Sequence, residues 1–452
     1  MRYISAIAVA LLSILIWRGR RLLYNNILFT PPIPSSYYAY GNATDQCSSP
    51  LPYVDLPQAG DVQSAHIDDF KYCEDAVFWH IYPHTGQPHS THRAIISCDA
   101  GRKAWNTVMG PLLDPQPKGS LWILDVVKGA APVRLDLAGF PQDHDFHPLG
   151  LDIYPSHDGE SSVLFVVNHA RGRTCVEQFS VSPTGEAVAT YVRTLDSPHF
   201  NSANSLALTS ATSFLVTNDH LFTRRLPFPL NHLLPIAESI LSLPLGWIAH
   251  VRLKPEDARA GDGNAGAADS RQAIATVDVV APSIPFPNGV ALSPTQDTVA
   301  VASTTTAEVR LYRVAGRSDR VSFIPDLANY GLQLEDTVPL PFLPDNVHFA
   351  DDGSLVVAGH PNFPKLTALA RGGVDPAGSW VVRIARKGTE KPGDDAAAFD
   401  GLHPRYDVRT LYQSDGAQLQ TSSAGLYDVG KGLLIMAGLY AEPGVLMCAS
   451  AP

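Results

Sequence analysis

The feature that most constrains this 452-residue chain is an internal repeat. A polar or small residue leads into an alternating apolar run six times: Asp68-Asp69-Phe70, Leu149-Gly150-Leu151, Asn204-Ser205-Leu206, Asn288-Gly289-Val290, Asn346-Val347-His348 and Ala424-Gly425-Leu426. Successive starts lie about 55 to 85 residues apart. Radial propellers repeat every ~40–50 residues, longer with insertions, because each blade buries its faces only against its neighbours. Period-two runs between turn clusters, as in 162–168, 298–314 and 354–358, carry the same grammar. The chain is therefore expected to be all-β, a six-bladed β-propeller. The stretch 231–251 is the one that reads as helical, broken or kinked at Pro235 and Pro244, and is either a buried connector or a lid or membrane-facing patch. The polar segments 255–272 and 388–401 read as exposed insertions.

In a propeller the innermost strand of each blade starts at the central channel, so the first residues of the units converge there. Asp68, Asn204, Asn288, Asp345 and Asn346 would gather two carboxylates and three amide oxygens, a cage for a hard divalent cation, calcium before magnesium. Taken singly, Asn288-Gly289 reads as a turn. The net charge of -11 repels nucleic acid and agrees with a cation site. No Gly-x-Ser-x-Gly elbow and no His-Glu-x-x-His motif occurs.

The N-terminus carries an apolar run, 4–17, between Arg2 and the arginines 18, 20 and 21. It is short for a membrane span and lacks a small-x-small cleavage site, so it reads as an uncleaved signal or signal-anchor forming a short hydrophobic helix. The arginines after it favour a cytosolic domain by the positive-inside rule. The sequon at Asn42 and the five cysteines favour the secretory pathway, ER-membrane-anchored or extracellular. The expected division is a signal or anchor segment over 1–24, a linker over 25–46 and the propeller over 47–452. Cys47 and Cys448, at opposite ends of the folded region, read as a closing disulfide, and Cys73, Cys98 and Cys175 as buried small apolar residues.

The segments Ile67-Asp-Asp69, Phe146-His-Pro-Leu-Gly-Leu151, Val166-Val-Asn-His169, Thr217-Asn-Asp-His-Leu-Phe222, Pro287-Asn-Gly-Val-Ala-Leu-Ser293, Pro344-Asp-Asn-Val347 and Gly359-His-Pro-Asn362 together resemble the paraoxonase/arylesterase family of calcium-dependent lactonases and esterases. The resemblance implies a disulfide-closed six-bladed propeller with two calcium ions in its tunnel, a retained hydrophobic N-terminus and hydrolysis of lactones and aryl esters. It implies a catalytic calcium held by one Glu, one Asp and three Asn, matched by Asp68 in place of Glu, Asp345, Asn204, Asn288 and Asn346. The second ion is matched by Asp69 and the carbonyl of Leu151, while Ser205 stands where the family has Asp, so that site is weakened or lost.

The resemblance also implies a catalytic histidine pair, of which His169 matches the second member and Leu149 replaces the first. His360 matches a pocket histidine, and Asp219, beside Asn218, a pocket-lining aspartate. Leucine accepts no proton, so the catalytic set expected here is His169, His360 and Asp345. The expected activity is a calcium-dependent hydrolase of lactones and aryl or carboxylic esters. Two other readings stand beside it: a cyclase or isomerase using the same ion in a drier pocket, and a binding propeller without turnover.

Overall fold

The computed structural model describes residues 19–50, 69–82, 91–113, 118–127, 129–254, 273–315, 330–388 and 402–450, together with residues 9, 13, 14, 16 and 17. Among these residues the strands fall into six sheets of four or five strands each. The inner strands, one per blade, are Cys73–Tyr82, Pro148–Ile153, Ala203–Ser210, Pro287–Leu292, Leu343–Phe349 and Ser422–Asp428. In every blade the chain then runs outward through antiparallel neighbours. The expected insertion 255–272 and nearly all of 388–401 lie outside the described residues.

Period two explains how a strand serves two neighbours. In Ser162–Asn168, Val166 packs toward the first blade, whereas Phe165 and Val167 pack toward the third. Six apolar clusters result, one at each junction between adjacent blades, including the junction of the sixth with the first. Both faces of each sheet are thus buried, and the ring of clusters closes the propeller.

The sixth sheet is completed by the N-terminal Cys47–Ser48, which pairs with Val445–Ala449 in the register Cys47 to Cys448. A disulfide joins those two cysteines across 401 residues of sequence. Upstream, Tyr37–Tyr38 adds a strand to the fifth sheet, so the expected linker is partly built into the propeller. Cys73 and Cys98 form a second disulfide, which corrects their reading as merely buried apolar residues; Cys175 alone is free.

The stretch read as helical divides in two. Leu230–Ile240 is a helix, but Gly246–Leu253 is a strand of the third sheet. Pro244 removes a backbone donor between them, and the apolar residues after it are buried between two sheets, where strand geometry satisfies their backbone. A short helix at Phe363–Ala370, capped by Asn362, lies beside the channel mouth. Leu22 is buried against Ala307 and Leu343, so part of the N-terminal segment docks on the same face. No helix among the described residues is long and apolar enough to cross a membrane.

Candidate active site

Each inner strand breaks register at its start. The shifts fall between Cys73 and Asp75, opposite Pro148 to Leu151, between Ala203 and Leu206, Pro287 and Val290, Pro344 and Val347, and Ser422 and Ala424. A bulge frees residues from the ladder and re-aims their side chains. The residues released are those facing the channel: Glu74, Leu149, Asn204, Asn288 and Asp345 all line one pocket, with Asn346 against Glu74.

Two glycines let the inner strands come close enough. A Cβ on Gly150 would lie 2.5 Å from the Cα of Ser205, and one on Gly289 would lie 2.4 Å from the Cα of Asn346. Gly289 is thus needed for close approach of two backbones, not for the turn its Asn-Gly pair suggests.

The oxygens gathered here are left unpaired by the protein. Asn346 Nδ2 donates to Glu74 Oε1 at 3.1 Å, and Asn204 Nδ2 donates to Asp219 Oδ2 at 3.2 Å. Glu74 Oε2 and the Oδ1 atoms of Asn204, Asn288 and Asn346 are buried without a hydrogen-bond partner. An unsatisfied buried polar atom costs about 1–3 kcal/mol, so four at one place call for a ligand. Burial, then the charges of Asp75 and Asp345, push the Glu74 carboxyl well above its ordinary range, with Arg102 opposing. A dication would reverse that balance, and an all-oxygen donor set of one Glu, one Asp and three Asn suits a hard one.

The first blade supplies this carboxylate from a position that differs from the one expected. Asp68 lies outside the described residues. Asp69 forms an ion pair with Arg134 at 2.7 Å and does not line the pocket. The alternating strand begins at Cys73, so Glu74 and Asp75 take the two places assigned to Asp68 and Asp69. With Glu74 the cage has the glutamate that the family resemblance calls for.

The second ion position does not fit a metal. Asp75 Oδ1 is bonded by His348 Nε2 at 2.9 Å and by the Ala76 amide, and Oδ2 accepts the Leu151 amide at 3.2 Å. Ser205 supplies no carboxylate, and its hydroxyl accepts from Val290 N. An imidazole and two amides thus satisfy Asp75 in place of an ion.

Of the three expected catalytic residues, two meet. His360 Nε2 lies 2.8 Å from Asp345 Oδ2, both side chains buried and both lining the pocket. His360 Nδ1 has no partner. His169 stands apart: Nε2 lies 2.6 Å from the Ala203 carbonyl and Nδ1 2.7 Å from the Thr107 hydroxyl. Nε2 therefore donates and Nδ1 accepts, so neither ring nitrogen is left to take a substrate proton. Burial, with the Arg225 charge, lowers its pKa to about 4.

Leu149 forms part of an apolar wall with Val108, Phe286, Leu343 and Leu439. Asp219 also lines the pocket, accepting from Ser202 and lying 3.2 Å from His220; Asn218 instead accepts the Ser202 amide behind it. Sequence reasoning missed Glu74, Arg102 and Tyr440. Arg102 is fixed by Tyr72 O and Pro148 O, and the Tyr440 hydroxyl is kept protonated by burial. The adjacent acids Glu74-Asp75 heading an alternating strand were the signal for the first of these.

Among solved structures the chain is similar to a periplasmic gluconolactonase of Pseudomonas aeruginosa, with TM-score 0.39 and 15% identity over 80% of this chain and 77% of that one. Among characterised proteins it is 27% identical to human serum paraoxonase/lactonase 3 over 70% of this chain and 74% of the relative. It is 24% identical to human serum paraoxonase/arylesterase 1 over 73% and 78%. The arylesterase family model matches residues 110–256 and 273–443, which include every cage residue except Glu74. On that match the chain belongs to the arylesterase family.

Proposed function

We propose that this protein is a calcium-dependent hydrolase of lactones and of aryl or carboxylic esters. Family membership supports an ester- or lactone-cleaving hydrolase. The observation that carries the calcium reading is the set of four partnerless oxygens on Glu74, Asn204, Asn288 and Asn346, with Asp345 beside them. Those five residues would hold the ion, which when bound supplies Lewis-acid polarisation of an acyl carbonyl.

The protein's own groups do the rest. His360 holds its proton at Nε2 and donates it to Asp345 Oδ2, which keeps the carboxylate turned to the cage, and its partnerless Nδ1 is left to accept a proton from water. The Tyr440 hydroxyl can donate to a substrate oxygen, and Arg102 offsets the carboxylate charge. Val108, Leu149, Phe286, Leu343 and Leu439 exclude water around the acyl group and favour an apolar substrate. One ion, not two, is expected, because Asp75 is already satisfied by His348 and backbone amides.

The same apolar wall favours a second reading, a cyclase or isomerase in which no water is activated. A panel of aliphatic and aromatic lactones and aryl esters, assayed with calcium and after chelation, separates the two. Turnover lost on chelation and restored by calcium supports the hydrolase. No turnover with calcium demonstrably bound overturns it, and in that case failure of Leu149→His to gain lactonase activity favours the second reading.

We further propose that the chain works in the secretory pathway, held at a membrane by its N-terminal apolar residues and glycosylated at Asn42. Two disulfides and the exposure of Val9, Ile14, Ile16, Trp17 and Asn42 support this.

A further inference from the structure

A second cluster of chemistry-bearing side chains lies in the second blade, outside the tunnel pocket. Cys175 and Glu177 are two residues apart on the strand Cys175–Val181 and so share a face. His144, from the loop leading to the inner strand Pro148–Ile153, closes on them. His144 Nε2 lies 2.7 Å from Glu177 Oε1, Cys175 Sγ lies 3.2 Å from the same oxygen, and Sγ to Nε2 is 3.9 Å. One atom of each residue thus lies within 4.8 Å of the other two.

Glu177 is fully buried, and the half-buried His144 lies against its carboxylate. Its carboxylate is also held from behind: Thr194 Oγ1 donates to Oε2 at 2.6 Å and Asn168 Nδ2 to Oε1 at 2.8 Å. Cys175 is the one cysteine of five outside a disulfide, and it is buried.

We propose that His144 Nε2, Cys175 Sγ and Glu177 Oε1 form a binding site for a borderline divalent transition metal, zinc in the first place, distinct from the oxygen cage in the tunnel. The donor set decides the class of ion. Nitrogen, thiolate and carboxylate together suit zinc or cobalt, whereas calcium takes oxygen. Zinc bonds of about 2.0–2.3 Å in a tetrahedral arrangement set donor separations of about 3.4–3.6 Å. The separations of 2.7, 3.2 and 3.9 Å bracket that range.

Charge balances as well. Binding releases the thiol proton to solvent and moves the imidazole proton from Nε2 to Nδ1, so that Nε2 can ligate and thiolate plus carboxylate neutralise the dication beside a neutral imidazole. The bonds from Thr194 and Asn168 remain and orient Glu177, as the outer partners of zinc ligands do. The partly exposed side of His144 provides the way in. Asn168 also holds Asp145 O and His147 N, so the metal would clamp the segment that carries Leu149 into the pocket.

The test is a cobalt titration of the full chain, freed of transition metals and kept in calcium. The expected result is one equivalent of cobalt giving a thiolate-to-cobalt charge-transfer band that zinc displaces. Because the other four cysteines are in disulfides, that band can come only from Cys175. Cys175→Ser should lose the band, and His144→Gln, at a partly exposed position, should need more cobalt for half-saturation, with near-ultraviolet circular dichroism checking the fold of each. A band absent at excess cobalt, or unchanged in either folded variant, overturns the site.

Discussion

At the residue scale the site is built from side chains that the ladder cannot use. Asn204, Asn288 and Asn346 sit at bulges, and their Oδ1 atoms stay unpaired. They were legible in the sequence because the repeat puts polar residues at equivalent strand starts. Glu74 was not, because the Ile67-Asp-Asp segment imitates a strand start six residues before the place where pairing with Thr91–Cys98 begins. His169 was legible as a motif residue but not in its environment: the donors and acceptors that occupy both its nitrogens come from residues 34 and 62 positions away.

That environment sets a pH dependence. The His169 pKa is lowered to about 4 by burial and the Arg225 charge, while an unfolded histidine titrates near 6.5. As pH falls from about 6.5 to 4 the unfolded chain binds a proton that the folded chain refuses. Stability present above 6.5 should therefore drain away by about 3 kcal/mol toward pH 4. Urea unfolding across that window checks it. His169→Gln should show a shallower loss, and an unaltered slope would contradict the assignment.

At the scale of elements the bulged inner strand is the repeating device, and glycine lets neighbouring copies approach. Gly289→Ala would drive its Cβ against the Asn346 backbone and displace a cage residue. The expected result is a fall in calcium affinity and, since ~1 Å of misplacement costs about 10²-fold, a comparable loss of turnover. Wild-type values in that variant would contradict the close-approach role. The strands themselves were legible because period two is a direct image of burial on alternate faces. The division of 231–251 was not, because a buried apolar strand and an apolar helix share composition, and only pairing with Ser213–Asn218 and Ile274–Ile284 decides between them.

At the scale of the molecule the propeller is a ring whose last sheet is closed by a strand from the other end of the chain. The six inter-blade clusters give each blade two neighbours, and the disulfide Cys47–Cys448 fixes the closing strand. Cross-linking so long a loop restricts the unfolded chain strongly, so Cys448→Ser should lower stability by about 2–4 kcal/mol with the activity of the folded fraction retained. Denaturant midpoints of the parent chain and the variant, both without reductant, check this, and an unshifted midpoint would show that the clusters alone close the ring.

The proposed calcium site is made by oxygens from separate blades. Calorimetric titration of the metal-free full chain with calcium tests it directly, beside Glu74→Gln and Asn288→Ala. One ion per chain is expected, with binding lost or greatly weakened in both variants while their circular dichroism stays that of the parent. No binding to the parent chain, or undiminished binding to both variants, would contradict it, and two equivalents would contradict the filling of the second position by His348.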